Sequence, residues 1–232
     1  MKKYYPLGIN RTVESGLYFK YDGIKKLDKL ITENIHKELN SSEKWRQKTT
    51  RWEDELRCKL ISTTYGQEPS FSSYLEIEKD NFRDWIFEKR LHFTISILGP
   101  FYTIYGVDTA AYVIKGQKSA TELLKQRNRY YWKAHRIIIY PIAEYKKKFE
   151  EVRKLIENEF TGYKFIPYGI YSSSLDGLEV GYSDENLDRI FNGLFNRHFD
   201  FDAPVLREIN DYGYEQWESS LKDKDSNVPD RE

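Results

Sequence analysis

The sequence predicts an α+β fold: a mostly antiparallel sheet packed by helices, with an N-terminal helical pair. Three observations carry that expectation. Apolar residues recur at helical spacing near both the N-terminus and residues 143–160. Strict alternation marks a half-buried strand at Leu91, Phe93, Ile95 and Ile97. Strand-like runs follow one another through short turns, as antiparallel neighbours do.

The elements follow in order. Between Tyr21 and Leu39, the residues Ile24, Leu27, Leu30, Ile31, Ile35 and Leu39 line one helical face. Asn40-Ser41-Ser42 interrupts it, and Ser42 is placed to cap a second helix. That helix carries Trp45, Trp52, Leu56 and Leu60 and is expected to end near Tyr65-Gly66, closing a helical hairpin over 21–65. "SYLEIEK" reads as a strand, and the stretch from Asp80 fits either helix or strand before the alternation at Leu91 begins. Gly99-Pro100 turns the chain into one or two further strands over 101–114.

Ser119 to Ala134 reads as a helix, and "RIIIYPI" as a strand that Pro141 confines to an edge or an end. A helix follows, with Tyr145, Phe149, Val152, Leu155, Ile156 and Phe160 on its apolar face. Glu150 and Glu151 are spaced to pair with Lys154, and Thr161-Gly162 stops the helix. "YKFIPYGIY" is strand-like but interrupted by Pro167 and Gly169. Ser183 or Asp184 would cap a last helix, "DENLDRIFNGLFNR". Residues 1–220 are taken as one domain and 221–232 as a polar, disordered tail.

Of the 232 residues, 16% are aromatic, including 19 Tyr, 13 Phe and 5 Trp. The core is therefore largely aromatic, with phenol hydroxyls seeking partners at its edges. The single cysteine, Cys58, excludes an internal disulfide and a four-cysteine zinc site, and suits a reducing cytoplasmic setting. Its context, "DELRCKL", reads as helix, making it a structural thiol. "MKKYYPLGIN" has no apolar run, so no secretory leader is expected there. The most apolar window, residues 93–114, is broken by Gly99-Pro100, Gly106 and Asp108, as a membrane helix would not be.

The formal charge is zero but unevenly spread. Lys115 to Arg136 holds seven cations against Glu122, a net of +6. From Asp176 onward, 15 carboxylates face 6 Lys or Arg, a net of −9. Such asymmetry points to an interaction surface. The basic cluster with Tyr130, Tyr131 and Trp132 has the ingredients of nucleic-acid binding. The chain's neutrality and the lack of any such motif argue against it.

No P-loop, dinucleotide fingerprint or nucleophile elbow is present. The one suggestive constellation is "RHFDFDAP": in an extended segment His198, Asp200 and Asp202 project to one side and could hold a divalent cation, although simple solvation gives the same pattern. No cofactor is expected. Asp184, Glu185 and Asp188, at the start of the last predicted helix, are the candidate partner-binding residues; carboxylates there also complement the helix dipole.

"FYTIYGVDT", "FTGYKFIPY" and "DENLDRIFNGLF", within residues 74–200, resemble the layout of bacterial immunity-type proteins encoded beside secreted antibacterial toxins. The resemblance implies a cytoplasmic, non-enzymatic α+β inhibitor that covers the active site of a cognate protein partner, here a basic toxin domain. It transfers no site residue. The alternatives are an enzyme with a metal-dependent site around His198, or a nucleic-acid-binding module.

Overall fold

The computed structural model describes residues 1–37, 44–82, 85–114, 129–181, 187–206, 212–215 and 217. The architecture is α+β, as predicted. Seven strands form one mostly antiparallel sheet: β1 (Leu60–Ser62), β2 (Ser70–Asn81), β3 (Trp85–Ser96), β4 (Phe101–Ile114), β5 (Arg129–Ile138), β6 (Lys164–Phe165) and β7 (Val205–Leu206). The order is β1-β2-β3-β4-β5-β7, with β6 beside the start of β4. Among the described residues, only the two-residue strands β6 and β7 pair in parallel.

The N-terminal segment forms α1 (Ser15–Lys20), α2 (Asp22–Ile31), a π-helical turn (Thr32–His36) and α3 (Lys44–Leu56). The helical pair is present, and Ile24, Leu27, Ile31 and Ile35 are buried as expected, as are Trp45, Trp52 and Leu56; Leu60, expected on the second stripe, lies in β1 instead. The two stripes enter different clusters. α2 packs with Tyr5, Tyr18, Leu178 and Val180. α3 packs on the sheet, its Trp45 stacked on Phe71 at 4.8 Å and its Trp52 set 5.7 Å from Phe93.

α3 ends earlier than expected. Arg57 takes a positive φ of 51°, and the chain turns into β1 instead of continuing toward Tyr65. Cys58 therefore lies beyond the helix, half-buried, with its thiol pKa raised by burial. On the same sheet face α4 (Lys146–Glu159) buries Phe149, Val152 and Ile156, and Gly162 at φ 83° ends its run. Glu151 pairs with Lys148 at 2.8 Å instead of with Lys154.

Residues 129–134 correct the predicted helix. They belong to β5, where Tyr131 faces Tyr112 and Trp132 faces Ala111 across the ladder. Aromatic residues suit a pleated, half-buried surface, and this cross-strand pairing overrides the helical spacing. Residues 115–128 lie outside the described residues. The ambiguous segment before Leu91 is strand from Trp85, and 101–114 is one strand. β5 ends at Ile138, before Pro141.

The opposite sheet face meets α5 (Tyr168–Tyr171), α6 (Ile190–Leu194) and residues 195–203. The last helix is shorter than predicted. Arg189 is extended and bridged to Ser174, Asp188 lies outside the helix, and the proposed caps at Ser183 and Asp184 lie outside the described residues. The tail at 221–232 lies outside them too. No helix among the described residues is long and apolar enough to cross a membrane.

Candidate interaction surface

The second sheet face is polar along its middle. Ser70, Ser72, Thr94 and Ser96 are buried where β2 meets β3. Their hydroxyls need partners, and residues 194–196 supply them. Ser96 Oγ donates to Leu194 O at 2.8 Å and Ser70 Oγ to Phe195 O at 3.0 Å. Asn196 Nδ2 donates to Ser72 Oγ at 2.9 Å, and Ser72 and Thr94 hydroxyls lie 2.8 Å apart. Asn196 Oδ1 then accepts the His198 amide at 2.9 Å. A run of small polar residues in two strands thus fixes the segment that presents Arg197 and His198.

Both side chains face Glu68. Its carboxylate is buried, at 1% exposure, yet makes no hydrogen bond. Oε2 lies 3.3 Å from His198 Nε2 and Oε1 3.7 Å from Arg197 Nε. A tight turn holds Glu68, its amide donating to Tyr65 O at 3.1 Å. The Arg197 guanidinium sits 5.5 Å over the Tyr65 ring, which is 45% exposed. Behind them, His92 is stacked between Tyr74 and Tyr105 at centroid distances of 5.0 and 5.2 Å. Burial, reinforced by Arg90 and His198, lowers the His92 pKa to about 3, so the ring stays neutral. Burial also raises the Tyr105 hydroxyl pKa.

On the other side of the turn, Gly66 and Gln67 border a groove of about 310 Å³ against α1, α2 and the π-helical turn. Phe19, on its rim, is 52% exposed.

The predicted site residues are distributed differently from the sequence expectation. His198, Asp200 and Asp202 do not share one side of a strand. The chain turns at Phe201-Asp202, and Asp200 Oδ1 accepts the Asp202 amide at 3.0 Å. His198 faces Glu68 instead. No group of three His, Cys, Asp or Glu among the described residues could hold a metal ion. Asp188 precedes α6 and its N-cap Arg189, outside the first helical turn; its carbonyl accepts the Leu175 amide at 2.8 Å. Asp184 and Glu185 lie outside the described residues. Within the basic cluster, Arg136 is committed to Asp108 at 2.5 Å.

Sequence reasoning missed Glu68, which sits in "GQEPS" with no periodic signal. A second exposed aromatic group, Phe82, Trp85 and Trp132, lies toward the far end of β2, β3 and β5. There the Arg90 guanidinium lies 4.1 Å from the Trp132 ring centroid and is also bonded to buried Glu88. No family model, curated protein or solved structure matches the chain.

Proposed function

We propose that the protein is a non-enzymatic inhibitor that binds one cognate protein, an immunity protein whose partner is a basic toxin domain. The observation that carries this reading is the Tyr65–Arg197 pair beside an open groove. Tyr and Arg are the residues most enriched at binding hot spots. Arg197 is held in place by the Glu68 carboxylate and the Tyr65 ring before any partner arrives, which limits the ordering cost of association. The net −9 from Asp176 onward favours a basic partner, and the immunity-type layout agrees.

The test uses the purified product of the adjacent gene. Calorimetry is expected to show one-to-one binding at micromolar affinity or tighter, with loss of that protein's activity on binding. Tyr65→Ser weakens it by about tenfold or more while the melting temperature holds, and Arg197→Ser weakens it as much with some loss of stability, because the buried Glu68 carboxylate then keeps His198 alone. Absence of binding at micromolar concentration overturns the reading for that pair.

One observation favours the enzyme alternative: the Glu68–His198 contact has the form of a carboxylate orienting an imidazole base. Among the described residues no hydroxyl or thiol hydrogen-bonds to that ring, so water would be the nucleophile. In that case His198→Gln would abolish turnover and leave partner binding intact.

A further inference from the structure

The groove beside the turn has a chemistry of its own. Asp28, Thr32 and His36 line it at steps of four residues, and Gln67 faces them from the turn. A four-residue step overshoots one turn of an α-helix. Across Thr32–His36 the backbone is π-helical, closed by the Lys37 amide on Thr32 O. That wider turn rotates the next four-residue step back, bringing His36 into line with Asp28. The walls between them are apolar: Ile24, Leu27 and Ile31 from α2, and Phe19 from α1.

Among the described residues the Asp28 carboxylate makes no hydrogen bond or ion pair, and desolvation raises its pKa. The lysines on either side in sequence are committed elsewhere, Lys25 to Asp22 at 3.2 Å and Lys29 to Glu33 at 3.7 Å. The Tyr5 and Tyr18 hydroxyls beneath the helix donate to Gly193 O and Glu179 O, so neither serves Asp28. A partly desolvated carboxylate beside apolar walls and an exposed aromatic ring complements one chemical class: a cation on an aliphatic stem.

Resting on the protein-binding reading, we infer that the groove receives a lysine or arginine side chain from the partner. The stem lies along Leu27 and Ile31, the charged head meets Asp28, and Phe19 offers its face. An anionic occupant would meet Asp28 as a like charge, and an apolar one would desolvate it without a partner. At about 310 Å³ the groove is at the small end of ligand sites, the scale of one side chain.

The test titrates the isotope-labelled full chain with N-acetyl-arginine methylamide, its lysine counterpart and the neutral citrulline counterpart. The two cations are expected to shift the Ile24 and Ile31 methyl and Thr32 amide resonances. Citrulline binds about tenfold more weakly or less. Asp28→Asn removes that preference without lowering the melting temperature, and Phe19→Ala weakens both cations. Equal responses to arginine and citrulline, or no groove response at tens of millimolar ligand, overturn the inference. The two failures separate. If Asp28→Asn leaves affinity for the adjacent-gene protein unchanged while Arg197→Ser weakens it, the groove assignment fails and protein binding stands. If the cations bind but that protein does not, the reverse holds.

Discussion

Glu68 Oε2 lies 3.3 Å from His198 Nε2, joining a turn before β2 to the segment after α6. The carboxylate is buried and, among the described residues, has no hydrogen bond; the basic groups that face it are His198 and Arg197. Removing both side chains leaves the buried carboxylate without the two basic groups that face it. Arg197→Ala with His198→Ala is expected to cost about 3 kcal/mol, and adding Glu68→Gln recovers at least half of it. Urea unfolding of the three proteins at neutral pH measures this. A triple variant less stable than the double would show that the carboxylate acts as a packing group.

His92 supplies a pH dependence. Its folded pKa of about 3 lies below the ordinary 6.5, so the unfolded chain binds more protons between those values. Stability therefore rises with pH through that window and falls as acid is added, with a limiting slope of about 1.4 kcal/mol per pH unit. His92→Phe keeps an aromatic ring between Tyr74 and Tyr105 but cannot protonate. Its unfolding free energy should vary less between pH 5 and 6.5 than that of the parent. Parallel profiles would contradict the neutral, half-buried imidazole.

Tyr145 donates to Asp108 Oδ1 at 2.7 Å while Arg136 holds Oδ2 at 2.7 Å. Tyr145→Phe removes one donor and is expected to cost about 1–2 kcal/mol. A Cβ at Gly106 would sit 2.6 Å from the same ring, so Gly106→Ala must push the ring off Asp108 and should cost at least as much. Chemical denaturation checks both, and a neutral Gly106→Ala would mean that the ring is free to move.

The acidic segment makes a kinetic prediction. Asp188 stands outside the α6 first turn, so reversing its charge together with Glu185 should leave stability nearly unchanged. Association with a basic partner should slow and lose salt dependence, with dissociation less affected. Stopped-flow mixing at several ionic strengths decides it; an unaltered association rate would remove these residues from the encounter.

Where local pattern and tertiary demand agree, the structure was legible in advance. The stripes of α2, α3 and α4 and the alternation in β3 are set by burial on one side of one element. The start of β5 was not legible because Tyr131 and Ala134 continue a helical spacing set by Ala120, Leu123 and Leu124, and only pairing with β4 shows the strand. The end of α3 was missed because no glycine marks it: Arg57 itself adopts the left-handed conformation. His198 faces Glu68 and not Asp200 and Asp202, since period-two reasoning assumes an extended chain and residues 200–203 turn. Glu68 and the groove are assembled from segments far apart in sequence, so no linear motif announces them.

The central claim is that the surface around the Tyr65–Glu68 turn meets a protein partner. Hydrogen exchange of the chain alone and saturated with the adjacent-gene protein tests it most directly. The account predicts slowed exchange at residues 65–68, at 196–198 and along α2, and none near Phe82 and Trp85. Protection confined to the far end of β2 and β3, with the turn and α2 unchanged, would contradict it.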